Sequence, residues 1–213
     1  MKLNLDKLRN TLRTTLIDIW EYVIPIWKIS GLFKRIKSKQ DLENFIQERS
    51  AHVAQTTLYG YLKTRIGVKY IAMVEDEVFL NSVNIAKWNI YVVALADCAF
   101  YVFSYLISEK NLKENDCKEI FLNILENEKK NGLNDEIFDR GKKNFLERIN
   151  KVNFLNYHLD DPFKESGQAL YYWSPIADEL KSLDKKIVLN SIHLKWNLMK
   201  DEFKKLTKDL KFN

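Results

Sequence analysis

Apolar residues in this chain recur at three- and four-residue intervals along most of its length, and that period predicts helices rather than strands. Leu8, Leu12, Leu16, Ile19, Val23 and Ile26 mark a first amphipathic helix, reset near Pro25, with Trp20 and Trp27 widening its apolar face. Gly31 then precedes a basic connector ending at Lys39, where Ser38 or Asp41 can cap a second helix over about 41–66. After Gly67 the pattern predicts a short helix from Tyr70 to Leu80 that carries Glu75, Asp76 and Glu77. Asn81 and Ser82 are the expected caps of the next helix, 82–108. It holds the twenty-residue run from Trp88 to Ile107 and is apolar on nearly every face, as a buried central element must be. Two more helices are expected at 114–130 and 134–151, divided by the Asn131-Gly132 turn signal. Residues 152–173 show no period. Ser174-Pro175 opens the last helix, with Leu180, Leu183, Ile187, Ser191, Leu194 and Leu198 as its seam, continued by Met199, Phe203, Leu206 and Leu210.

No run of alternating residues is long enough for a sheet, and six Gly and three Pro leave little turn punctuation. The expected fold is therefore all-α, a single-domain bundle of about six or seven helices around the buried apolar helix 82–108. The chain divides into a basic amphipathic helix and connector, 1–39, and the bundle, 40–213. Hydrophobic residues at 46% are ample for a core. Cys98 and Cys117 form neither a disulfide framework nor a zinc-ligand spacing, which fits a reducing compartment.

Charge changes the picture in one place. The net charge is +5, but residues 1–39 hold nine Lys/Arg against three Asp/Glu, and the rest of the chain is close to neutral. A basic domain for nucleic acid is thereby disfavoured. The excess sits beside the apolar face of the first helix, so Trp20, Trp27, Lys34, Arg35 and Lys37 suit docking on an anionic membrane surface or a protein partner. The first functional expectation is accordingly a non-catalytic helical protein that docks through this segment. Asp18, Glu21 and Lys28 interrupt any secretory apolar stretch, so the expected location is cytoplasmic, or membrane-associated through that segment. No Walker loop or dinucleotide fingerprint occurs and no cofactor is expected.

Candidate chemistry centres on Asp97, an acid in the middle of the apolar run. A carboxylate there must be neutral, partnered or in a wet site. The run is long enough to span a bilayer, yet its nine Leu, Ile, Val and Phe contribute about −3 to −5 kcal/mol against about +3 for a central Asp, so spanning is marginal. Within a soluble bundle, Asp97 would be held by an Arg or Lys from another helix, with Tyr101 one turn away. The second helix offers the polar stripe Glu48, His52, Gln55, Tyr59 and Lys63, which would build a polar core site if it faced Asp97 or Glu75 and would otherwise be a solvated face. Small residues on its other faces, including Ser50, Ala54 and Thr57, permit close helix approach. The alternative function is thus an enzyme or small-ligand binder around Asp97. No Glu-x-x-His or HExxH places a metal, and no metal site is expected. Ser166 with His158 and Asp160 or Asp161 is the one local grouping for nucleophilic hydrolysis, without a G-x-S-x-G elbow.

Arg49-Ser-Ala-His-Val-Ala-Gln-Thr-Thr-Leu-Tyr-Gly-Tyr-Leu-Lys-Thr-Arg-Ile-Gly67 and Ser174-Pro-Ile-Ala-Asp-Glu-Leu-Lys-Ser-Leu-Asp184 resemble an all-helical bacterial protein family, some of whose members carry the label esterase. The resemblance covers much of 41–200. It implies a helical fold and, through that label, ester hydrolysis, with no site residues to carry over.

Overall fold

The computed structural model describes residues 35–210, and within them the chain is seven α-helices and two 3-10 turns. The helices are α1 Lys39–Ile66, α2 Tyr70–Val74, α3 Glu77–Lys110, α4 Glu114–Lys130, α5 Asp135–Ile149, α6 Lys164–Trp173 and α7 Asp178–Leu206. The turns are Gly67–Lys69 and Tyr157–Leu159. The architecture is the expected all-α bundle, with α3 at its centre against α1, α4, α5 and α6, while α7 packs on α6 and α1. The predicted N-terminal helix, with Trp20, Trp27 and Lys34, lies outside the described residues.

Local chemistry sets the element ends. Ser38 caps α1 by accepting from the Asp41 N–H, and Asp41 accepts in return from the Ser38 N–H, a reciprocal pair that satisfies two donors. α3 begins five residues before the expected start, because Asp76 accepts from the Phe79 N–H at 2.8 Å and caps it. Asn81 and Ser82 therefore lie inside the helix, and Ser82 turns its hydroxyl back to the Val78 carbonyl. The extra turn brings Phe79 into the core. At the other end Asn111, in the left-handed region, closes α3. By length and composition α3 is the one described helix able to cross a bilayer, but 83% of that apolar window is buried within the protein, so packing accounts for its apolarity.

Close packing around α3 depends on small residues. Ser50, Ala54 and Thr57 of α1 are buried, and the Ser50 hydroxyl reaches the Ala94 carbonyl of α3. At Gly141, α5 crosses α3 so tightly that an added Cβ would overlap Val92. Phe145, four residues on, stacks on Phe121 at 3.7 Å and on Phe100 at 4.9 Å.

Further expectations are corrected, among them the helix expected from Tyr70 to Leu80, which ends at Val74, and the last helix, which begins at Asp178 rather than at Ser174-Pro175. Residues 152–173 are not all irregular, since α6 occupies the last ten of them. Its buried face is Ser166, Gly167, Ala169 and Leu170, too small and too polar to register as an apolar stripe. On α7 the expected seam points outward: Leu183, Ile187, Leu194 and Leu198 are exposed and Leu180 is more than a third exposed. The face that packs inward is Val188, Ile192, Trp196, Met199 and Phe203. Both stripes have helical period, and periodicity does not say which one meets the core.

Candidate functional site

Asp97 is fully buried on α3, and both of its oxygens are held. Arg148, at the end of α5, donates from Nη2 to Oδ1 at 2.9 Å, and the backbone N–H of Ser166, in the first turn of α6, donates to Oδ2 at 2.7 Å. The expected basic partner thus arrives from α5. The same Nη2 donates to the Tyr157 hydroxyl at 2.9 Å, and the guanidinium lies 4.6 Å above the Phe100 ring. Burial pushes the Asp97 carboxyl up to about 6, opposing the lowering pull of Arg148 and of the Ser166 N–H. Burial also pulls on Arg148, but Asp97 and Tyr157 hold its pKa above the ordinary value. Near neutral pH the pair is therefore charged on both sides, a buried ion pair that fastens α3 to α5 and α6.

Arg148 is not sealed as Asp97 is. Its side chain keeps 26% of its surface exposed and lines a cleft of about 580 Å³. The floor of that cleft is Val92, Val93 and Ala96 of α3. Gly141, Asn144 and Glu147 of α5 form one wall, and Tyr157, Asp161, Lys164 and Glu165 form the other. Nη2 already serves two acceptors, whereas Nε and Nη1 make no hydrogen bond within the described residues. The site is thus a guanidinium fixed by a carboxylate and a phenol, with donors to spare, above an apolar floor. No serine, threonine, cysteine or histidine is among the lining residues.

The other sequence-predicted residues do not join it. Tyr101 is fully buried one turn from Asp97, but its hydroxyl has no hydrogen-bond partner among the described residues, and burial raises its pKa. Glu48, His52, Gln55 and Tyr59 are half-buried and Lys63 is exposed, and none of the five lines the cleft. His52 instead borders a small cavity of about 150 Å³ between α1 and α7, where burial, Lys195 and Arg49 lower its pKa. Glu75 is exposed at the end of α2. The polar stripe of α1 therefore does not face Asp97, because Ser50, Ala54 and Thr57 turn the opposite side of that helix toward α3. Arg35 and Lys37 are exposed, and Arg35 pairs with Asp209 beyond the end of α7. Among the described residues no three His, Cys, Asp or Glu side chains converge as a metal site.

The Ser166 grouping is taken apart by the fold. Its hydroxyl donates to the Phe163 carbonyl and accepts from Trp196 Nε1, and it has no bond to His158. His158 pairs instead with Ser104 of α3, Nδ1 to Oγ at 2.9 Å, and donates its backbone N–H to the same oxygen. Ser104 also donates to the Phe154 carbonyl, so this pair pins the irregular 152–163 segment to the core.

Sequence reasoning missed Arg148, Tyr157 and the Ser166 N–H. One signal was available: Phe138, Gly141, Phe145 and Arg148 share one stripe of α5, so a lone Arg continued a buried face. A second buried acid also went unseen, Glu128, which accepts from the Tyr91 hydroxyl at 2.8 Å and from Gln47. Comparisons of the chain with protein-family models, with curated proteins and with solved structures give no match.

Proposed function

We propose that this protein binds a small carboxylic acid with an apolar body in the cleft over Arg148. The observation that carries the reading is the held guanidinium of a cleft-lining Arg148, with Nε and Nη1 making no hydrogen bond among the described residues and an apolar floor in the same cleft. Such a fork matches a carboxylate, and because Asp97 and Tyr157 already fix its orientation, little order is lost on binding. The volume of about 580 Å³ lies within the range of small-molecule sites. Glu147, Asp161 and Glu165 along the walls, against Lys164, disfavour a multiply charged anion such as phosphate. Binding is preferred to ester hydrolysis here because no serine, threonine, cysteine or histidine lines the cleft to form a hydroxyl or thiol nucleophile with its base.

Isothermal titration of the full chain with 3-phenylpropionate, its neutral amide and inorganic phosphate tests this. Only the carboxylate is expected to bind, and Lys164→Glu, an exposed change, is expected to weaken it several-fold. Equal binding of acid and amide, or no binding of either at millimolar concentration, removes the reading.

Docking of residues 1–39 on a membrane or partner is a second proposal, supported by the exposure of Arg35 and Lys37 beside the apolar pattern of that segment. Co-sedimentation with phosphatidylserine-rich vesicles checks it. Loss of pelleting in a Trp20→Ala, Trp27→Ala chain supports it, and unchanged pelleting removes it.

A further inference from the structure

α7 carries two apolar stripes, and only one has a partner among the described residues. Leu183, Ile187, Leu194 and Leu198 are 75, 68, 65 and 66% exposed. Together they present on the order of 400–500 Å² of apolar surface, as large as the biggest such patches on typical monomers. Asn190, Ser191 and Asn197 lie between and beside them, with Asp184, Lys186 and Lys195 at the edges of the face.

The order of these side chains is self-complementary. The four positions are symmetric about the point between Asn190 and Ser191, which is what an isologous two-fold contact requires. In an antiparallel pair, Leu183 meets Leu198 of the second copy, Ile187 meets Leu194 of it, and Asn190 meets Ser191 at the axis. The flanks agree with that register. Asp184 and Lys195 lie on one edge of the stripe and fall within about one helical turn of each other across the axis, with Asp184 already paired to Arg65 and Tyr61 of its own chain, so that edge brings no like-charge clash. Lys186, on the other edge, falls between His193 and Asn197. Glu179 nears Asp201 only outside the last apolar pair, in solvent. Two such faces, fully covered, together bury roughly 800–1,000 Å², which reaches the lower limit for specific contacts.

We propose that the outward face of α7 is a two-fold interface with a second copy of this chain, antiparallel and centred between Asn190 and Ser191. Asn190 also borders a cavity of about 350 Å³ between α6 and α7, which shares Asp161 and Lys164 with the cleft over Arg148. The second copy therefore stands at the rim of that cavity, next to the proposed ligand site.

Cysteine cross-linking of the full chain tests the register, and the native Cys98 and Cys117 are fully buried and give little background. Oxidised Asn190→Cys is expected to give a covalent dimer. Lys205→Cys is not, because its two copies would lie about 43 Å apart along the paired helices. In sedimentation at tens of micromolar the native chain is expected as a dimer, and Leu194→Asp is expected to weaken association at least tenfold, with an unchanged thermal midpoint when both chains are melted dilute enough to be monomeric. A monomeric native chain overturns the proposal, as does equal cross-linking at both positions or a Leu194→Asp chain that still dimerises. A monomer whose thermal midpoint falls on Leu194→Asp also overturns it, and points to residues 1–34 of the same chain as the cover.

Discussion

Replacing Arg148 with Met removes the guanidinium from Asp97 and leaves that carboxylate with only the Ser166 N–H. The size of the effect depends on pH, and its sign follows from the Asp97 proton. In the native chain burial raises the Asp97 pKa from 3.8 to about 6. Because the folded value lies above the unfolded one, Asp97 supports the fold fully below about pH 4 and withdraws that support as pH rises through 6. Without Arg148 the carboxyl moves toward the upper range for buried acids, roughly 8, so at about pH 8.5 the further cost is about 3 kcal/mol. The lost hydrogen bond and the contact with Phe100 add about 1 kcal/mol at any pH. The total, about 4 kcal/mol in alkali, agrees with the roughly 3–5 kcal/mol typical of breaking a buried pair. Near pH 5, where Asp97 is protonated in the folded state of both chains, only the smaller part remains. Urea titrations followed by tryptophan fluorescence at about pH 5 and about pH 8.5 measure both. In thermal melts the loss corresponds to roughly 8–16 °C in alkali and roughly 2–4 °C in acid. Adding Asp97→Asn is expected to recover about half of the alkaline loss, since the amide oxygen still accepts the Ser166 N–H. Equal losses at the two pH values, or less than about 1 kcal/mol in alkali, would refute the reasoning.

Two further changes test the packing around α3. Gly141→Ala is expected to destabilise by about 1–3 kcal/mol in urea titration, because the new methyl group overlaps Val92, and Val92→Ala in the same chain is expected to restore most of it. No loss, or no rescue, would mean that α5 can shift away from α3. Ser104→Ala leaves the Phe154 carbonyl and the His158 N–H unmet, an expected cost of about 2–4 kcal/mol. Limited proteolysis should then open the 152–163 segment first, and a cleavage pattern unchanged from the native chain would count against Ser104 as its anchor.

The residue pattern by itself determined the elements wherever apolar side chains were large and evenly spaced. α1, α4 and α5 lie within two residues of their predicted bounds, and α3 was recognisable as the buried centre because its apolar residues leave no polar face. The demand of Asp97 for a partner was equally legible, since an ionised carboxylate in such surroundings is too costly to leave alone. Its supplier was not. Arg148 lies 51 positions away in sequence, and the crossing that delivers it depends on Gly141 and Val92, which carry no pairing information. α6 escaped notice because close helix contact there uses Ser166, Gly167 and Ala169, whose small size is the reason they pack and also the reason they leave no hydrophobic signal. On α7 the period was read correctly, but the direction was wrong from Leu183 to Leu198 and right only from Met199 onward, since two stripes share one helix and a one-dimensional pattern has no inside. Only tertiary packing chose Val188, Ile192 and Trp196 for the core and left Leu183, Ile187, Leu194 and Leu198 outside. The same packing put Arg148 at the edge of a cleft, because burial is a property of neighbours in space, which the order of residues does not contain.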